Sequence, residues 1–146
     1  MESLRTFLEN SGFERLSLLK LSTGHYRLSL EVNGQTGQFI LDTGASSSCI
    51  GFESVPYFNL FSENTEIKAA GAGAINMETK MAHNNTLKIG SLVFRKLSFV
   101  LFDMTHVNEA LAQANELPVH GILGADFLKK RRAVIDYGRN CAYFKR

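Results

Sequence analysis

Between His25 and Leu41 the chain reads HYRLSLEVNGQTGQFIL, in which Tyr26, Leu28, Leu30 and Val32 alternate with polar residues at the period of a half-buried strand. Asn33 and Gly34 supply the positive backbone angles of a tight hairpin turn, and Phe39, Ile40 and Leu41 then enter a buried strand that ends at Asp42. A second stretch follows the same logic. Leu87 and Ile89 lead through a turn at Gly90 and Ser91 to Leu97, Phe99, Val100, Leu101 and Phe102, ending at Asp103. Residues 65 to 83 alternate around Gly71 and Gly73, which predicts a hairpin with a glycine-rich tip, the most mobile part of the chain, near 68 to 76.

Helical patterns are short. One covers Leu4, Phe7 and Leu8 and stops near Ser11 and Gly12; a second runs over 107 to 115, with Ala110, Leu111 and Ala114 facing inward; a third spans 126 to 132, with Asp126 in its first turn or capping it. Strands are expected again at 133 to 136 and, after a turn at 138 to 140, at 142 to 144. The strands are too closely spaced for repeated βαβ units, so the pattern predicts a mainly β chain.

Bulk composition narrows the function classes. A chain of 146 residues with 45% hydrophobic residues is the size of one compact domain with one sizeable core. Its formal charge of +2 obliges no face to bind nucleic acid, and the run Lys129, Lys130, Arg131 and Arg132 reads as the wet end of a helix. No stretch approaches the roughly 18 apolar residues of a membrane span. The N-terminal stretch lacks a signal-peptide run, which points to a cytoplasmic protein. Cys49 and Cys141 read as two buried thiols in a reducing compartment, with one disulfide as the alternative.

Asp42, Thr43 and Gly44 place a carboxylate in a tight turn at the end of an apolar strand, where Gly44 lets backbone approach the acid and Thr43 and Ser46 offer hydroxyls. Taken alone, these three residues also suit an ordinary strand-ending turn. Other chemistries find less support. His25, His83, His106 and His120 show no metal-ligand spacing, no metal or other cofactor is called for, and His120 reads as structural. Ser46, Ser47 and Ser48 lack a nucleophile elbow, and no Lys-Ser or Lys-Thr follows Gly71 and Gly73 to make a phosphate loop.

The stretch FILDTGASSSCI, residues 39 to 50, resembles the active-site signature of retroviral-type (retropepsin-like) aspartic peptidases, and VHGILGADFLKKRRAVIDY, residues 119 to 137, resembles the second signature of their cellular and bacterial relatives. The resemblance covers roughly 26 to 144. It implies a closed, pepsin-like β barrel over 25–146, preceded by an N-terminal extension, 1–24, that carries a short helix. It also implies that Asp42 is the catalytic acid, that Thr43 and Gly44 support its loop, and that Ile122, Leu123 and Gly124 brace that loop. Substrate contacts fall to Ala45, Ser46 and a flap around Gly71, Ala72 and Gly73.

One Asp-Thr-Gly in a chain of this length implies a homodimer acting on peptide or protein substrates, with the C-terminal strand around Ala142 and Phe144 and the loop after Asp42 as interface candidates. This chain departs from the retroviral pattern in having Ser46 where an acidic residue is usual, and its flap, KAAGAGAIN, carries no aromatic side chain. The rival reading is an inactive relative that binds extended peptides or a protein partner without cutting them.

Overall fold

The computed structural model describes residues 1–64, 69–71 and 74–146, with only the backbone of 69–71 and 74–77. Thirteen strands are described: β1 Phe13–Ser17, β2 Leu19–Lys20, β3 Tyr26–Val32, β4 Gln35–Leu41, β5 Cys49–Gly51, β6 Glu63–Asn64, β7 Ala69–Gly71, β8 Ala74–Met77, β9 Lys80–Ile89, β10 Leu92–Phe102, β11 Gly121–Leu123, β12 Val134–Asp136 and β13 Cys141–Lys145. The helices are α1 Leu4–Asn10, α2 Thr105–Gln113 and α3 Ala125–Lys130.

Local chemistry explains the hairpins. Asn33 (φ 50°) and Gly34 (φ 85°) turn β3 into β4 with Val32 opposite Gln35, and Gly90 (φ 57°) does the same between β9 and β10, where Ile89 faces Leu92. Strands β3, β4, β11, β5, β10 and β9 pair in that order. The ring closes where Glu31 and Val32 of β3 meet Lys88 and Leu87 of β9. The product is a closed six-stranded barrel that leaves no ragged edge around its wall.

Its interior holds Leu28, Leu30, Val32, Phe39, Leu41, Ile50, Leu87, Phe99, Leu101 and Leu123. A second core lies on the other side of the wall. There Leu21, Ile40, Cys49, Val100, Phe102 and Ile122 pack with Met104, Leu111 and Val119 at and after the start of α2. Strands β4, β5, β10 and β11 are therefore covered on both faces, which is why Phe39 to Leu41 and Phe99 to Phe102 are continuous apolar runs.

A separate three-stranded sheet runs β1, β13, β12. Strand β13 is its centre, paired with β1 from Phe13↔Lys145 to Ser17↔Cys141 and with β12 from Val134↔Tyr143 to Asp136↔Cys141. Ala142 and Phe144 face the barrel core, while Cys141 and Tyr143 face Leu8 and Phe13 on the other side. The expectation that Ala142 and Phe144 offer an interface to a second subunit is thus corrected: both are fully buried within their own chain, and both edges of β13 are occupied. Helix α1 also differs from its amphipathic reading. Only Leu8 is buried, and Leu4 and Phe7 are exposed, because a seven-residue helix laid across a narrow sheet covers one position per two turns.

Phe144 touches Phe127, which in turn lies edge-on to Phe94, so three rings tie β13, α3 and β10 together. Truncation of Phe144 to Ala removes the end of this chain of rings. It is expected to lower unfolding stability by about 3–5 kcal/mol, measured by urea denaturation. A loss below about 1 kcal/mol would show that the ring is not part of the core.

Candidate active site

Strand β11 sits between β4, with which it runs parallel (Gly121↔Phe39 to Leu123↔Leu41), and β5, with which it is antiparallel (Gly121↔Ile50, Ile122↔Cys49). The chain between β4 and β5, residues 42 to 48, must therefore loop around the end of β11. Asp42 is the first residue of that loop. Its amide still donates to Leu123 O at 3.0 Å, so the strand ladder carries through to the acid itself.

The turn then closes on the carboxylate. Gly44 N donates to Asp42 Oδ1 at 2.9 Å, and Ala45 N donates to Asp42 O at 3.2 Å. Among the described residues, Oδ2 of Asp42 takes no hydrogen bond. One oxygen is tethered and the other is not, on a half-buried side chain. Thr43, Gly44 and Ser46 are exposed around it, and Ala45 is half-buried.

A second set of bonds holds the far arm of the loop. Ser48, 3% exposed, donates its hydroxyl to Asp126 Oδ1 (2.8 Å) and its amide to Asp126 Oδ2 (3.1 Å). The same hydroxyl accepts from Gly124 N at 2.9 Å. Ala125 N donates to Ala45 O at 2.7 Å. Gly124 is packed so closely that a Cβ would stand 2.7 Å from Ala45 O and 2.8 Å from Ser47 O. Together these contacts join the start of α3 to both halves of the Asp42 loop.

Ile122 and Leu123 lie in β11 opposite Ile40 and Leu41, one facing each core. Gly71 lies in β7, paired with Ala74. Ala72 and Gly73 lie outside the described residues, so the flap tip inferred from the sequence is not placed. The remaining aspartates have structural partners: Asp103 accepts from Thr105 at the start of α2, Asp126 from Ser48 and Phe127, and Asp136 pairs with Arg139 at 3.2 Å.

Both cysteines are free and buried. Burial first, then the charges of Asp126 and Asp42, push the Cys49 thiol up to about 12. It stays protonated at physiological pH, donates to Ser47 O, and is no nucleophile. The Ser48–Asp126 clasp is the part of this site that sequence reasoning missed. Ser48 ends a serine run and Asp126 follows Gly124 and Ala125, but nothing local tells that the two meet across 78 positions.

A small β barrel with a short strand threaded through an Asp-Thr-Gly loop is the retropepsin-like architecture. The chain belongs to the aspartyl protease family, whose model matches residues 28–127. No curated protein matches the sequence. Among solved structures, the retropepsin-like aspartic protease from Rickettsia conorii superposes with a TM-score of 0.57 at 17% identity, over 91% of this chain and 90% of that one. The retroviral protease-like domain of Ddi1 from Leishmania major gives 0.56 at 15% identity, over 81% and 86%. The EIAV protease complexed with an inhibitor gives 0.55 at 21% identity, over 75% and 89%. At these identities the likeness shows the fold. Among the described residues, no helix is long and apolar enough to cross a membrane.

Two substitutions test the clasp. Ser48→Ala leaves Gly124 N without its acceptor and Asp126 Oδ1 with Phe127 N alone, and is expected to cost about 1–3 kcal/mol in urea unfolding. Gly124→Ala drives a methyl group into two backbone carbonyls and is expected to cost a similar amount, about 1–3 kcal/mol, through forced displacement of the loop. If both variants unfold at the wild-type midpoint, the clasp does not hold the loop.

Proposed function

We propose that this chain is an aspartic endopeptidase, active as a homodimer in which Asp42 of one copy faces Asp42 of the other across a single water. The observation that carries the reading is the Asp42 carboxylate: one oxygen is fixed by Gly44 N and the other takes no bond among the described residues. Membership of the aspartyl protease family supports it.

Two carboxylates at contact distance cannot both stay charged, so they share one proton. The ionised member removes a proton from the water as it attacks the scissile carbonyl, and the protonated member polarises that carbonyl. No covalent intermediate forms. Thr43 and Gly44 keep the loop in register, Ala45 and Ser46 align an extended peptide through backbone contacts, and the β7–β8 pair, with Gly71 opposite Ala74, supplies the cover that excludes water.

A second copy is needed because every other described aspartate has a structural partner. With both edges of β13 occupied, a second copy cannot pair with β13 itself, and within that sheet only the outer edges of β1 and β12 stay free.

Asp42→Asn is expected to lower peptide cleavage by roughly 10³-fold or more while leaving the circular dichroism spectrum and urea midpoint near wild type. Excess Asp42→Asn subunit mixed with wild type is expected to suppress turnover through mixed dimers with one carboxylate. Dilution below the dimer dissociation constant, followed by light scattering, is expected to silence the enzyme before it unfolds. Equal cleavage by wild type and variant would refute the assignment; full activity in a monomer would refute the partner.

A further inference from the structure

Arg27 lies in β3 between Tyr26 and Leu28, at a position that alternation assigns to solvent, yet it is only 8% exposed. Its guanidinium donates to Gln38 Oε1 (3.3 Å), Leu117 O (3.2 Å) and Pro118 O (2.7 Å), all neutral acceptors. Among the described residues no carboxylate ion-pairs with it. A buried charge paired only with carbonyls is costly to keep, so its geometry is firmly specified. What it holds is the segment that runs through His120 into β11.

His120 is bonded to the strands on both sides of β11. Its amide donates to Gln38 O at 2.8 Å, and its carbonyl accepts from Gly51 N at 2.9 Å. Its ring nitrogen Nδ1 accepts the Gln38 N–H at 3.0 Å. The ring stacks on Tyr57 at 5.3 Å and 11° and meets Phe58 edge-on. Gln38 thus receives Arg27 on its side chain and His120 on its backbone, at the middle of the strand that delivers Asp42.

An Nδ1 that accepts a backbone N–H must carry its proton on Nε2. A second proton would put two donors, Nδ1–H and Gln38 N–H, face to face. The groups packed around the ring do not relieve it. Strand β3 contributes Arg27, a fixed positive charge; Tyr57 contributes a phenol that donates to Thr36 O; β4 contributes the Gln38 amide; and Gly51 of β5 has no side chain.

We propose that His120 is a positioning residue that sets the acid limit of the catalytic loop: neutral, its ring adds the Gln38 N–H to the backbone bonds that hold the entry to β11; protonated, the ring releases that N–H and loosens the strand that leads into the Asp42 turn. The proposal rests on the peptidase reading and adds to it a pH limit that does not come from the catalytic acids. Burial, then the charge of Arg27, holds the imidazole below its ordinary value near 6.5. The sign follows. Above that ordinary value the ring is neutral in folded and unfolded chains alike and the lock is whole. As pH falls below it, the unfolded chain takes up a proton that the folded chain refuses, and stability is lost until the lower folded value is passed.

The test uses wild type and two variants. Wild type is titrated by NMR from roughly pH 7.5 to 4.5, following the His120 ring and hydrogen exchange at the Gln38 amide; protection at Gln38 is expected to fall as the ring protonates. In His120→Asn the side-chain oxygen can accept the same N–H without titrating. The acid limb of its kcat profile, normalised to its own maximum, is expected to move down by roughly one pH unit or more. In His120→Phe the ring stack is kept but the acceptor is lost, and Gln38 protection is expected to be weak even at neutral pH. Identical acid limbs in wild type and His120→Asn, or a Gln38 amide still protected when the ring is charged, would overturn the proposal. If no peptide is cut at any pH, the peptidase reading fails while the NMR titration still decides the lock.

Discussion

The site depends on a three-residue strand held on both of its edges. Strand β11 hydrogen-bonds to the strand that enters the Asp42 loop and to the strand that leaves it, so the loop has to pass around its end. No space is left for error there. A Cβ at Gly121 would meet Cys49 O at 2.2 Å and the Phe39 ring at 2.6 Å, so the three strands approach one another as only glycine permits. A shift of β11 by one residue would exchange Ile122 and Leu123 between the two cores and carry the Asp42 amide off Leu123 O.

Burial on both faces gives this arrangement its stiffness. The barrel core and the outer core meet across β4, β5, β10 and β11, and the acid emerges where that double-sided packing ends. The carboxylate there is fixed at one oxygen by the turn that follows it. The oxygens of Asp126 are taken by Ser48 and by Phe127 N. The buried thiol of Cys49 tolerates two nearby carboxylates by staying neutral.

The terminal strands change how a dimer can be imagined. Strand β13 is enclosed by β1 and β12 and covered by α1, so segments of the same chain fill both its edges and its outer face. In the proposed homodimer, strand addition through β13 is therefore closed, and within this sheet only the outer edges of β1 and β12 stay open to it.

Hairpins, strands and the turn at Asp42 were legible in the chain because each is decided by neighbours a few positions apart. Asn33-Gly34 and Gly90 bend the backbone through their own φ preferences, alternation marks Leu28, Leu30 and Val32, and Asp42-Thr43-Gly44 announces a turn at a strand's end. The clasp between Ser48 and Asp126, the closure of β3 on β9, the saturation of β13 and the bond from Gln38 to His120 were not legible. Arg27 even reads the wrong way, as a solvent-facing residue. Each of these joins groups dozens of positions apart, 78 for Ser48 and Asp126 and 82 for Gln38 and His120. Local preference sets the period and direction of a segment, but which polar groups come to face each other is settled only when the strands pack and every buried donor must find an acceptor.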